Sequence, residues 1–176
     1  MLPESHVLAS LYVVYISSYV KDTTDFINNI EKITLPEGSI LVTMDVSSLY
    51  TNIPNDEGIE SIRETLSTNG NPPATTDIMT SFLLLILTLN NFTFNGNHYL
   101  QVKGCAMGTK CAPSYANLFM GKFEKKYIYN RIKNKSKLYL TFIDDIFMIW
   151  TASKEDLLNF IQEINQVHQS IKFTVD

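Results

Sequence analysis

Two adjacent carboxylates, Asp144 and Asp145, lie inside an otherwise apolar and aromatic run from Tyr139 to Trp150. Charged side chains are seldom buried unless they are paired or bind metal. The flanks, 138–143 and 146–151, are rich in β-branched and aromatic residues and predict two short strands with the Asp-Asp pair at the hairpin tip. Two like charges roughly 4 Å apart repel by about 4 kcal/mol at an effective dielectric of about 20. A divalent cation offsets that repulsion, and carboxylate oxygens suit hard ions such as Mg²⁺ or Mn²⁺. A water-exposed Asp-Asp turn accounts equally well for this segment taken alone.

A second acidic position changes the balance. The hydrophobic stretch Ser39–Met44 runs into Asp45, and the next acidic residue is Asp56. A lone Asp at a strand end is usually a cap or turn residue. Read together with Asp144, it completes the minimum ligand set for two-metal phosphoryl transfer, in which one ion activates an attacking hydroxyl and the other stabilises the leaving oxygen. Between the two acidic sites lies Gln101–Asn117, with Gly104 and Gly108 flanked by Lys103 and Lys110. Glycine lets backbone approach a ligand closely, and Pro113 suits the first turn of the helix that follows. A glycine loop feeding a helix N-terminus can receive a nucleotide or a template backbone. Most such turns bind nothing, so the order carries the signal: Asp strand, Gly loop and helix, Asp-Asp hairpin.

That order, with the phrases DVSSLYTNIP at 45–54, KGCAMGTKCAPSYANLFMG at 103–121 and FIDDIFMIW at 142–150, resembles the palm of a reverse transcriptase. The Penelope-like retroelement group is the subgroup it resembles, with SYVKDTTDFINNI at 18–30 extending the likeness over about 18–176. The resemblance implies an α+β palm: a small antiparallel sheet with helices packed on one face. It implies that Asp45 and Asp144 are catalytic metal ligands with Asp145 beside them, and that the Val46 carbonyl completes the metal shell. Tyr50 matches the aromatic position under the incoming sugar, where a ring excludes a 2′-hydroxyl. Phe142 takes the aromatic position two residues before Asp144. Gly108 matches the glycine near the template and nascent base pair. Lys103, Gly104, Lys110 and Pro113 are expected to contact template or primer. Two Mg²⁺ or Mn²⁺ ions, an RNA template, a DNA primer and deoxynucleotide triphosphates are the implied cofactors and partners. Met107 replaces the Gln common before the loop glycine, a trait shared with the Penelope-like group. Residues 1–17 contain no Lys or Arg, so the basic fingers are expected to be truncated and the thumb absent, with both segments required as partners. The endonuclease domain often attached to this group is likewise expected to be missing from 1–176.

Composition fits one globular domain over 1–176: 45% hydrophobic and 18% charged residues suffice for a sizeable core. The net charge of −4 is unusual for a nucleic-acid binder. However, Lys122, Lys125, Lys126, Arg131, Lys133, Lys135 and Lys137 gather half of the 14 basic residues in one stretch. A solvated helix end and a phosphate track both explain that cluster. Cys105 and Cys111 read as free thiols of a reducing compartment, with no zinc spacing. His6, His98 and His168 are scattered and receive no role. No run is long enough to span a membrane and no leader pattern is convincing, which predicts an intracellular protein, nuclear or cytoplasmic.

Periodicity predicts helices over 5–20, 23–33, 54–66, 76–90, 113–131 and 153–168. The last is expected to be capped by Ser153 and to turn Leu157, Leu158, Ile161, Ile164 and Val167 inward. Strands are predicted at 40–45 and 171–175, a loop at 68–75, and a hairpin over 92–100 turning at Asn95-Gly96. The functional reading is RNA-templated DNA synthesis. A catalytically silent palm that acts at most as a binding module is the alternative. An RNA-templated RNA polymerase and a two-metal nuclease are weaker readings.

Overall fold

The computed structural model describes residues 12–175. These fall into two compact units. The first comprises Ser48–Phe119 with the described residues up to Val13, and the second comprises Val14–Ser47 and Met120 onward.

The second unit is built on a four-stranded sheet in the order β4-β5-β1-β6. Its strands are β1 (Ile40–Val46), β4 (Ser136–Phe142), β5 (Asp145–Trp150) and β6 (Phe173–Val175). All three pairings are antiparallel. Alternation along β1 buries Val42, Met44 and Val46 and turns Leu41, Thr43 and Asp45 to the other face. The register Met44↔Ile146 and Val42↔Met148 stacks the buried residues of β1 on those of β5. Each such side chain contributes roughly 1.5–3 kcal/mol by leaving water. Helix α7 (Lys154–Ile164) covers this layer with Leu157, Phe160 and Ile164, and Phe160 stacks on Trp150 at 5.6 Å between ring centroids. Ser153 caps α7 by accepting from the Asp156 N–H, as expected. The helix ends four residues short of the predicted 168. Leu158 is exposed where it was expected inside, and Phe160 fills the core.

Helix α1 (Thr23–Ile30) is capped by Asp22, whose side chain accepts from the Asp25 N–H. Its Phe26 meets Phe147 edge-on at 5.2 Å, on the sheet face opposite α7. The predicted helix over 5–20 falls partly outside the described residues, and its described part is not helical past Val13. The reason is a tertiary strand-like pairing. The Thr141 N–H donates to Ser18 O at 2.8 Å and the Val20 N–H to Thr141 O at 2.9 Å, which holds this segment extended beside β4.

The first unit is mainly helical. It contains α2 (Leu49–Asn52), α3 (Asn55–Thr68), α4 (Pro73–Thr88) and the hairpin β2 (Asn91–Phe94) and β3 (Asn97–Leu100). The short α2 was not foreseen. The loop predicted over 68–75 closes early because Pro73 sits in the first turn of α4, where its missing N–H costs nothing. Arg63 on α3 bonds Asp77 at 2.5 Å and Thr80 at 2.9 Å on α4. Asn95 and Gly96 both have positive φ, 49° and 76°, the pattern of the tight turn expected for Asn-Gly. Helix α5 (Ala112–Phe123) begins in this unit. The helix predicted over 113–131 is broken: a π-helical turn, Glu124–Ile128, separates α5 from α6 (Tyr129–Ile132).

Candidate functional site

The hairpin β4–β5 carries the acidic pair. Phe142 lies opposite Asp145, so the two-residue tip is Ile143-Asp144 and not Asp144-Asp145 as the strand boundaries predicted. One residue of slip matters because side chains alternate faces. Asp145 is thereby the first residue of β5, directly opposite Asp45 of β1. Directly opposed residues project from the same face with Cβ atoms about 4.5–5.5 Å apart. The structure thus brings two carboxylates from strands 100 positions apart in sequence into one facing pair. Asp144 is tied to the same place through its backbone, since the Val46 N–H donates to Asp144 O at 3.0 Å. The Val46 side chain is fully buried.

Ile143 holds φ at +58°. A β-branched residue seldom occupies that left-handed region, and backbone strain of this kind concentrates at functional sites. Sequence reasoning did not find it, because neither Gly nor Asn marks the turn.

Asp45 and Asp145 form a like-charged cross-strand pair, which is destabilising by itself. Neither Asp144 nor Asp145 has an ion-pair partner among the described residues. Hard oxygen donors facing one another, with no ammonium or guanidinium of the described residues on the hairpin carboxylates, fit Mg²⁺ or Mn²⁺ in donor chemistry. No group of three or more His, Cys, Asp or Glu side chains converges as a ready metal cage among the described residues. Mg²⁺ does not require one: it commonly uses one or two carboxylates, with water and substrate phosphates supplying the rest.

The same sheet face opens into a cavity of about 600 Å³ whose lining includes Lys21, Phe26, Thr43, Phe142, Asp145 and Phe147. The sequence held the signal for its floor. Thr43 alternates out of the core on β1, and Phe147 lies two residues after Asp145 on the same face.

In the first unit, Tyr50, Gly108, Lys110 and Pro113 come together, with Met107, Thr109 and Ala112, around a pocket of about 430 Å³. Gly104 lies outside it and has a packing role. A Cβ there would stand 2.5 Å from Thr51 Cα and from Tyr50 O. Its own N–H donates to the Asn55 side chain at 2.9 Å, and the Cys105 N–H donates to Tyr50 O at 2.7 Å. The glycine loop therefore holds the Tyr50 turn by backbone contact. Lys103 is exposed outside the pocket, and its carbonyl accepts from the Gln101 side chain. Both cysteines are free and buried. A thiol hydrogen bond from Cys105 brings Cys111 down to about 7, while that bond and burial push Cys105 up. In the second unit, two members of the basic stretch serve structure. Lys135 pairs with Asp156 at 3.1 Å and Arg131 with Glu163 at 3.4 Å.

The mixed helical and antiparallel fold is that of a polymerase palm. The pattern of the reverse transcriptase (RNA-dependent DNA polymerase) family matches residues 9–176, and the chain belongs to that family. Solved structures agree on the fold. Apo telomerase from Candida Tropicalis, truncated from its C-terminal domain, superposes with a TM-score of 0.73 at 12% identity, over 98% of this chain and 40% of that one. Telomerase of the same organism, in complex with a TWJ fragment of telomeric RNA, gives 0.73 at 11% identity over 98% and 33%. The BmCPV RNA-dependent RNA polymerase at elongation state gives 0.68 at 9% identity over 98% and 18%. The chain thus spans well under half the length of these relatives. No curated protein matches it. Among the described residues, no helix is long and apolar enough to cross a membrane.

Proposed function

We propose that this chain is the palm of a retroelement reverse transcriptase of the Penelope-like kind, and that it works in RNA-templated DNA synthesis. The observation that carries the reading is the register Asp45↔Asp145, with Asp144 in the adjoining two-residue turn. Asp45 and Asp144 would hold two Mg²⁺ or Mn²⁺ ions, with Asp145 assisting and the Val46 carbonyl available as a further oxygen donor. When bound, such ions lower the pKa of an attacking hydroxyl and neutralise charge on the transferred phosphoryl group. The protein's own contribution is placement. The β1–β5 pairing fixes Asp45 and Asp145 face to face before substrate arrives, so little reorganisation is needed at reaction. Tyr50 would lie against the sugar of a deoxynucleotide triphosphate, its ring leaving no room for a 2′-hydroxyl. Gly108, Lys110 and Pro113 would meet the template or primer backbone, with Lys103 and Gly104 beside them in the loop.

The test is primer extension on an RNA template with Mg²⁺ or Mn²⁺, comparing the parent with Asp144→Asn and Asp45→Asn. Loss of synthesis by at least a hundredfold in both variants, with melting no lower than the parent's, is expected. Equal activity in either would sink the assignment. A second reading, a palm that binds without turnover, is favoured by one observation: three carboxylates do not converge among the described residues. Metal-dependent stabilisation without extension in the parent would support it.

A further inference from the structure

Glu124 is fully buried, and nothing in the proposed chemistry uses it. It opens the π-helical turn Glu124–Ile128. Such turns are rare and recur at functional sites. The Ser18 hydroxyl donates to its Oε2 at 2.5 Å, the Tyr129 hydroxyl to Oε2 at 2.9 Å, and the Tyr139 hydroxyl to Oε1 at 3.5 Å. Thr141 donates to Ser18 Oγ at 3.0 Å, and the backbone of Ser18–Val20 is bonded to Thr141 on both sides. The titratable groups facing Glu124 are two phenols, Tyr129 from α6 and Tyr139 from β4, while the Ser17–Tyr19 segment presents the Ser18 hydroxyl. Among the described residues, no Lys, Arg or His is one of its hydrogen-bond partners. Burial pushes the carboxyl up to about 7, with the hydroxyl donors pulling against it. Thr141 stands three residues before Asp144 on the same strand and turn.

We propose that Glu124 is a positioning residue for the carboxylate hairpin: its hydroxyl network ties β4 to the Ser17–Val20 segment and to α6, and its ionisation sets how firmly the Ile143-Asp144 turn is held. The functional consequence rests on Asp144 and Asp145 being the working carboxylates, but the restraint on the hairpin does not. When the hairpin opens, Glu124 meets water and returns toward an ordinary carboxylate. The closed form therefore takes up a proton that the open form releases, and acid favours closure. As pH rises toward 7 that preference is lost, because a charge without a cationic partner is left in an apolar site.

Amide hydrogen exchange on the metal-free 176-residue chain tests this, read in peptides covering 139–147 from pH 5.5 to 8.5 and corrected for intrinsic exchange. Parent hairpin protection is expected to fall about thirtyfold across that range, while Glu124→Gln stays flat. The same fall in Glu124→Gln, or no fall in the parent, overturns the proposal. So does hairpin protection equal to that of α7 peptides covering 154–164 at every pH, since that would report global opening. If Glu124→Gln does not fold, Tyr139→Phe and Thr141→Val keep the acid and cut its ties. Both should lower hairpin protection several-fold relative to α7, and unchanged protection overturns the inference. The measurement contains neither metal nor nucleotide. Failure of primer extension would therefore remove the catalytic reading and leave this one standing, while a flat exchange profile beside active extension would do the reverse.

Discussion

Ile143 stands next to the hairpin carboxylate Asp144 with φ at +58°, a conformation that costs a branched residue roughly 1–2 kcal/mol. Replacing Ile143 with Gly relieves that strain at an entropic cost of about 0.5–1 kcal/mol. The variant should hold or gain up to about 1 kcal/mol in urea unfolding, against the loss usual for removing an apolar side chain. A drop of more than 1 kcal/mol would mean that packing of the side chain dominates. Glu124 supplies a second prediction. Its folded value of about 7 lies above the ordinary 4.5, so the folded chain binds a proton that the unfolded chain has released. Its contribution is fully present below pH 4.5 and lost as pH rises through about 7, amounting to about 3 kcal/mol. Subtracting the pH profile of Glu124→Gln from that of the parent should isolate this fall, and superimposable profiles would refute it.

At the scale of elements, contacts between backbones decide more than side-chain chemistry. Gly104 combines positive φ with a Cβ position 2.5 Å from Thr51 Cα and Tyr50 O. Gly104→Ala should therefore cost about 1–3 kcal/mol and displace the Tyr50 turn; under the function proposed above, it should raise KM for deoxynucleotides more than it lowers kcat. A kcat loss alone would place the effect elsewhere. Helices α3 and α5 meet by a side chain laid on backbone. A Cβ on Gly58 would overlap the Tyr115 ring, and the Tyr115 hydroxyl is buried with no hydrogen-bond partner among the described residues. Gly58→Ala should lose about 1–3 kcal/mol by overpacking. Tyr115→Phe should be neutral or stabilising, because it removes an unpaired polar atom. A costly Tyr115→Phe would reveal a partner for that hydroxyl.

On the scale of the whole molecule, the net charge of −4 and the facing carboxylates make cation binding the most direct test of assembly. Mn²⁺ that binds only the folded chain stabilises it by about 2.7 kcal/mol at a hundred times its Kd. The melting midpoint of the parent should rise with Mn²⁺ concentration, and that rise should vanish in the Asp45→Asn/Asp144→Asn double variant. A rise of equal size in both would place the ion away from the hairpin.

Much was legible in the residues themselves. A hydrophobic run ending at Asp45 specified β1, Asn-Gly specified its hairpin turn, Ser153 capped its helix, and the order of Asp45, the glycine loop and Asp144-Asp145 pointed to a palm. Those signals are local, because side-chain period and turn chemistry act over a few residues. Tertiary structure decided what depends on partners far along the chain. Pairing with Thr141 kept Ser18–Val20 out of a helix. The β4–β5 register moved the tip to Ile143-Asp144 and set Asp145 opposite Asp45. Burial among four hydroxyl-bearing side chains made Glu124 a buried acid where the sequence reads only as one charge in a basic stretch. No local pattern encodes such a register or such an environment, since both arise when strands distant in sequence share one core.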